Sequence, residues 1–270
     1  MSVIRATFER LRRAHRTALI PFIMGGDPSF AATSSLLLTL EDAGADLIEV
    51  GIPFSDPLAD GPVIQAASAR ALAGGATPAR VLQAIASVSR RLTVPVVCLS
   101  YWNPIAQFQN GSPRQSARAF VQSARAHGVS GVIVPDLPVE ESGLLHDAAR
   151  PAGFDAILLA APTSPPERLR MIAQHSHGFI YYVSVTGTTG VRRRLPAGLA
   201  HGIRQLRLLT TKPICVGFGI STPAQAASVA RIADGVIVGS ALVRELSSAR
   251  SPSEIRRRAS TFVKRFRRAV

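Results

Sequence analysis

Eight short runs rich in Val, Ile, Leu and Ala recur along the chain, at 18–24, 46–50, 95–100, 131–135, 156–160, 179–184, 213–217 and 235–238. Between them lie longer stretches with apolar residues at helical spacing, such as Ala119, Val121, Ala124 and Ala126, or Leu144, Leu145, Ala148 and Ala149. This alternation restricts the fold more than any other feature. A strand that must run parallel to its predecessor needs a crossover long enough to hold a helix. Eight such units in succession predict an α/β fold that closes on itself, a (β/α)8 barrel of the TIM type. An open doubly wound sheet is the alternative, but the first run lacks the G-x-G-x-x-G turn expected there. Helix starts are marked at Thr77-Pro78, Ser112-Pro113, Ser164-Pro165, Thr222-Pro223 and Ser251-Pro252, a capping residue followed by a Pro suited to the first turn.

No linker or low-complexity tract divides the 270 residues, so residues 1–270 are expected to form a single barrel domain. An extra N-terminal helix is predicted from Ile4, Phe8 and Leu11, and a docked C-terminal one from Ile255, Ala259, Phe262, Val263 and Phe266. The formal charge of +14 raises the question of a nucleic-acid partner. The arginines concentrate around these two terminal stripes, without a groove-reading motif or an aromatic platform, which argues against nucleic acid and for solvated helix faces. An Arg-rich start also suits a transit peptide, but the first core strand begins near Ala18 and leaves too little chain to discard. Cys98 and Cys215 sit inside apolar runs, as buried thiols do in a reducing cytosol. No apolar run approaches the roughly 18 to 20 residues needed to span a bilayer. A cytoplasmic protein without a membrane is the expectation.

Chemistry is marked in the stretch 49–65, E-V-G-I-P-F-S-D-P-L-A-D-G-P-V-I-Q, which places Glu49 at the end of an apolar run and Asp60 eleven residues on. Side chains alternate along a strand, so Glu49 shares a face with Leu47 and Gly51 while Ile48 and Val50 meet the helices. Glu49 is therefore expected inside the barrel near its mouth, where desolvation raises a carboxyl pKa and suits it to proton transfer. No strand offers an evident inward Lys or Arg to pair with it. Asp60 precedes a Gly, which is also a plain turn signature. A more polar loop would keep it ionised.

A second cluster follows strands seven and eight, in Gly217-Phe218-Gly219-Ile220-Ser221-Thr222-Pro223 and Val238-Gly239-Ser240-Ala241-Leu242. Glycines let backbone N–H groups approach an anion, and a helix starting at Ser240 would aim its positive end there, so the pair predicts a phosphate cradle. A third Gly-rich loop, Val185-Thr186-Gly187-Thr188-Thr189-Gly190, could hinge as a lid. His175 and His177 offer weak metal ligation at a helix end, and no metal is expected. Phe22, Tyr101 and Trp102 stand at strand ends, suited either to a flat apolar ligand or to rim packing.

The stretch 49–65 resembles the signature of the tryptophan synthase alpha subunit family. Support comes from P-F-I-M-G-G-D-P at 21–28, V-P-D-L-P-V-E-E at 134–141, F-I-Y-Y-V-S at 179–184 and G-F-G-I-S at 217–221. The resemblance implies retro-aldol cleavage of indole-3-glycerol phosphate to indole and D-glyceraldehyde 3-phosphate, with Glu49 and Asp60 as the catalytic acids. It puts substrate contacts on Phe22, Tyr181, Thr189, Gly190, Gly219, Gly239 and Ser240, with Thr189 helping to order Asp60. It further implies a beta-subunit partner in an alpha2-beta2 heterotetramer, touched through Pro53 and Asp56 in the loop 53–60. Pyridoxal phosphate would belong to that partner, and the chain itself would carry no cofactor. Departures from the family pattern are Val185, Gly25 and the basic run 192–194. A stand-alone lyase releasing free indole, or a non-catalytic activator of a beta subunit, remains an alternative. A sugar-phosphate epimerase would need metal-binding His and Asp at strand ends, which this chain lacks.

Overall fold

The structure is a computed structural model and describes residues 2–184 and 198–270. Its strands are β1 (Ala18–Met24), β2 (Ile48–Gly51), β3 (Val96–Leu99), β4 (Val129–Ile133), β5 (Asp155–Ala160), β6 (Ile180–Val183), β7 (Ile214–Gly217) and β8 (Gly235–Val238). They run parallel in sequence order, and β8 pairs back on β1 through Ala18 opposite Gly235, which closes the barrel. The helices are α1 (Val3–Arg13), α2 (Phe30–Asp42), α3 (Pro62–Ala73), α4 (Pro78–Ser89), α5 (Trp102–Ala106) and α6 (Pro113–Ala126). They continue with α7 (Gly143–Ala149), α8 (Pro166–His175), α9 (Leu199–Arg207), α10 (Pro223–Ala230), α11 (Ser240–Ser247) and α12 (Pro252–Arg267). The barrel is thus as the alternation of the sequence requires, and the additional N-terminal helix is as the stripe Ile4, Phe8 and Leu11 predicts.

Two buried layers follow from the period-two alternation of the strands. Ile48, Val50, Cys98, Val132, Ile180, Val216 and Val236 pack outward against the helices. Ile20, Phe22, Leu47, Val97, Leu99, Ile133, Tyr181, Cys215 and Ile237 fill the interior. Helix α1 closes the bottom of this inner layer with Ile4, Phe8 and Leu11, and the rings of Phe8 and Phe179 lie 5.8 Å apart. Both cysteines are free and buried. Among the described residues, no helix is long and apolar enough to cross a membrane.

Local differences from the sequence reading have physical causes. Strand β4 starts at Val129 instead of 131, because Val129 pairs with Val96 and the register then slips before Val97 meets Gly131. The slip is an irregularity of the bulge type, and Pro135, which lacks an N–H for the ladder, falls beyond the strand. Thr77, Ser112, Thr222 and Ser251 each cap their helix by accepting a backbone N–H. Ser164 does not. Its hydroxyl accepts the Ala161 N–H at 3.1 Å in a local turn, and α8 begins after Pro165.

The C-terminal stripe docks as expected, with Ile255, Ala259, Phe262, Val263 and Phe266 all buried. Arg267, read from the sequence as part of the basic outer face, instead turns inward. Its guanidinium meets Asp46 at 2.6 Å, and Asp46 also accepts the Leu19 N–H at 3.0 Å. A carboxylate 4% exposed below the barrel requires such partners, and Arg16 supplies another at 3.3 Å.

Candidate active site at the barrel mouth

Strand β2 places Glu49 opposite Phe22 on one side and Val97 on the other, in phase with the inner layer. The side chain is 1% exposed, and its Oε2 is buried without a hydrogen-bond partner among the described residues. A carboxylate anion in that position would forfeit its hydration with nothing in return. Burial, with the nearby Asp60 charge adding to it, therefore pushes Glu49 up from 4.5 to about 8. At neutral pH it holds a proton that it can give away.

Asp60 lies at the end of the β2–α3 loop, just before Gly61 and the first-turn Pro62 of α3. Neighbouring bonds fix that loop end. The Asp60 N–H donates to the Pro57 carbonyl at 3.0 Å, and Gln65 Nε2 donates to the Asp60 carbonyl at 2.9 Å. Ser68 of α3 both accepts the Phe54 N–H and donates to the Phe54 carbonyl, each at 2.9 Å. The expectation of a more polar setting for Asp60 does not hold, since the residue is buried, 6% exposed. Burial pushes its carboxyl up from 3.8 to about 6, while a hydrogen bond from Tyr101 opposes the rise. Asp60 still ionises below neutrality, and Glu49 above it.

The two acids line one pocket together with Phe22, Ile64, Leu99, Tyr181, Phe218 and Ile237. Gly219, Ile220, Ser221, Gly239, Ser240 and Ala241 complete its wall. Phe22, Tyr181, Gly219, Gly239 and Ser240 thus come together with Glu49 and Asp60, as the sequence reading anticipated. Thr189 and Gly190 lie outside the described residues, as do Val185 and the basic run 192–194. The apolar wall formed by Leu99, Ile237, Ile64 and Phe218 was not singled out from the sequence. The inward phase of Leu99 and Ile237, two residues along from Val97 and Gly235, is the signal that would have found two of them.

Two helix N-termini lie near the Gly-rich loops, and they differ in kind. At α10, Thr222 and Gln225 form a reciprocal capping box in which Gln225 Oε1 accepts the Thr222 N–H at 3.1 Å, and the same oxygen also accepts the Ser221 N–H at 2.8 Å. Its donors are used internally. At α11 the N-cap is Gly239, with no side-chain cap, and Gly239, Ser240 and Ala241 of this first turn line the pocket. An uncapped first turn with glycines on both approaching loops is a setting for an anion. Gly219 adopts φ +74°, a left-handed conformation that suits glycine, and a Cβ there would meet only the Ser184 Oγ, at 3.9 Å. Gly217 is a close approach of a different sort, since a Cβ there would run into the Tyr181 hydroxyl oxygen.

Aromatic residues divide by role. Phe22 and Tyr181 line the pocket, and the Tyr181 ring meets Phe218 edge-on at 5.7 Å. Trp102, at the start of α5, is not among the pocket's lining residues and packs instead against the outer hydrophobic layer. In the outer loop Asp56 is exposed and Leu58 is 86% exposed, whereas Pro53 is buried and does not offer its ring to solvent. His146, His175 and His177 gather beside the start of β6, at the other end of the barrel, with burial lowering His146 to about 4. Among the described residues no group of three or more His, Cys, Asp or Glu is arranged to hold a metal ion.

The family model described as tryptophan synthase alpha chain matches residues 8–270. A tryptophan synthase alpha chain of Gloeobacter violaceus is 48% identical over 267 residues, covering 98% of this chain and 94% of the relative. One from Prochlorococcus marinus is 47% identical over 270 residues, covering 100% and 95%. Among solved structures, tryptophan synthase subunit alpha from Legionella pneumophila superposes with a TM-score of 0.88 at 36% identity, covering 100% of this chain and 98% of that one. A chain of Mycobacterium tuberculosis tryptophan synthase gives 0.89 at 34% identity, with the same coverage. Shared sequence along nearly the full length, carried on the same closed barrel, shows that the chain belongs to the tryptophan synthase alpha chain family.

Proposed function

We propose that this barrel cleaves indole-3-glycerol phosphate to indole and D-glyceraldehyde 3-phosphate, with Glu49 moving the protons and Asp60 stabilising the charge on the indole. The observation that carries the reading is the pairing in one pocket of a protonated, unpartnered Glu49 with an Asp60 that ionises at lower pH. Two carboxyls with separated proton affinities divide acid and anion roles between them. The uncapped α11 end with Gly219, Gly239 and Ser240 suits the substrate phosphate, and Phe22, Leu99 and Tyr181 suit the flat indole.

In this assignment the Glu49 carboxyl gives its proton to the ring carbon bearing the side chain. Positive charge then builds on the ring nitrogen, whose N–H donates to the Asp60 carboxylate. The bond between that carbon and the glycerol chain breaks, its electron pair returning to the ring to restore the aromatic indole. The hydroxyl on the departing carbon becomes the aldehyde and yields its proton to the Glu49 carboxylate. Glu49 ends in the state in which it began, so one residue suffices for both transfers.

The same proposal extends to the assembly and the chain as a whole. The residues 1–270 act as a single cytoplasmic barrel domain, with Thr189 and Gly190 completing the substrate contacts. The chain hands indole to a beta subunit in an alpha2-beta2 heterotetramer, with pyridoxal phosphate held by that partner and no cofactor here. Exposed Asp56 and Leu58 are the outward groups of the loop suited to the contact, and Pro53 supports them from within. Assaying purified Glu49→Gln with indole-3-glycerol phosphate tests the central assignment. We expect indole formation to fall by at least about 10²-fold, the usual scale of a lost general acid. Turnover retained at the wild-type level would place the proton transfer on another group.

A further inference from the structure

Asp60 has a partner whose sequence position gives no hint of the connection. Tyr101 follows β3, 41 residues away along the chain, and is 3% exposed. Its hydroxyl oxygen accepts the Ala59 N–H at 2.9 Å, and the hydroxyl donates to Asp60 Oδ2 at 3.1 Å. A phenol has one proton to give, and the backbone donor arriving from Ala59 directs that proton to the carboxylate. Tyr101 is itself held in place. Its ring packs on Phe54 at 5.3 Å, and the next residue, Trp102, donates its N–H to Asp136 at 2.9 Å. Among the described residues no hydrogen bond engages Asp60 Oδ1, which leaves that oxygen for a ligand.

Among the described residues, the groups that bear on Asp60 offer no competing counter-charge. Glu49 faces it from β2, Tyr181 from β6 and Tyr101 from the end of β3, while Asp136 beyond β4 acts on Tyr101. Asp56 in the same loop is exposed. Among the described residues no Lys or Arg lines the pocket. A buried carboxylate among acids and phenols keeps its charge through donated hydrogen bonds, and here one phenol supplies the side-chain bond.

We propose that Tyr101 is a positioning residue for the cleavage, fixing Asp60 as an oriented anion with Oδ2 held and Oδ1 presented to the indole N–H. The inference rests on the reaction proposed above. It also explains why a Tyr at this point, rather than any apolar residue of like size, serves the site: Phe would keep the ring contact with Phe54 but lose both hydroxyl bonds.

The test compares wild type with Tyr101→Phe by following the carboxyl carbon of Asp60 in a 13C NMR pH titration, assigned with Asp60→Asn. The midpoint of Asp60 should rise by about one pH unit on losing a hydrogen bond to its charged form. The acid limb of the pH profile for indole formation should rise with it, leaving kcat/KM about 10-fold lower at pH values below both midpoints while the alkaline limb stays in place. Replacing Tyr101 by a ring-fluorinated tyrosine, a more acidic phenol and a stronger donor, should move the Asp60 midpoint down. An Asp60 midpoint unmoved by either change would overturn the proposal. So would a midpoint that moves while the acid limb stays. Absence of any cleavage in the wild type would refute the reaction itself, and the carboxyl titration would still report on the Tyr101–Asp60 bond.

Discussion

Glu49 should make the folded protein less stable as the solution becomes less acid, and Glu49→Gln should relieve that loss. The side chain is 1% exposed with one oxygen unpartnered, and its carboxyl is pushed from 4.5 to about 8. Because the folded state binds this proton more tightly than the unfolded chain does, the contribution is fully present below 4.5 and is lost as pH rises to about 8. Within that window each pH unit costs on the order of 1 kcal/mol, so roughly 2 to 3 kcal/mol is lost between about pH 5.5 and about pH 7.5. Glutamine has nearly the same shape and does not titrate. The thermal midpoint of the variant should therefore gain on that of wild type by about 5 to 10 °C across the same interval, given the usual 2 to 4 °C per kcal/mol for chains of roughly this size. Circular dichroism melts of both proteins over the pH series measure the gap. The pH dependence is the informative quantity, since the amide has its own fixed effect on packing. A gap that stays constant from acid to neutral pH would refute the argument, because it would mean that Glu49 is already ionised and satisfied in the folded state.

Two further outcomes test the cradle and the base of the barrel. Gly239→Asp should weaken binding of inorganic phosphate and of the substrate by at least about 10-fold through like-charge repulsion at the uncapped end of α11. The fold should persist, because a Cβ there meets nothing closer than the Phe22 Cβ at 3.5 Å, and unchanged affinity by calorimetric titration would remove the anion site from that helix. Asp46→Ala should destabilise the protein by about 3 kcal/mol, since it removes the counter-charge of the largely buried Arg267 guanidinium, which keeps only the Thr17 and Val270 carbonyls, and leaves the Leu19 N–H without its acceptor. Protein that remains folded should keep its activity, and a melting temperature within a degree of wild type would show that the inward turn of Arg267 contributes nothing.

Much of the architecture was legible because its signals are local. Period-two alternation placed Glu49 on the inner face, and the same residue carries the resemblance of the stretch 49–65 to its family. Four of the five Ser/Thr-Pro pairs cap helices, since a cap needs only the backbone three residues on. Ser164 failed that rule through a competing local turn with Ala161. Arg267 failed the reading of a basic outer face because its partner, Asp46, lies 221 residues away in sequence.

The order of strands and helices, the burial of Glu49 and the glycines of the cradle were thus determined by the amino-acid sequence, through periodicity and backbone freedom. Tertiary structure alone decided that Asp60 is buried and held by Tyr101, that α10 is capped internally while α11 is left open, and that Trp102 faces outward. Ionisation and hydrogen-bond partnership depend on which groups meet across the barrel, and strands far apart in the chain bring those groups together only when the sheet closes.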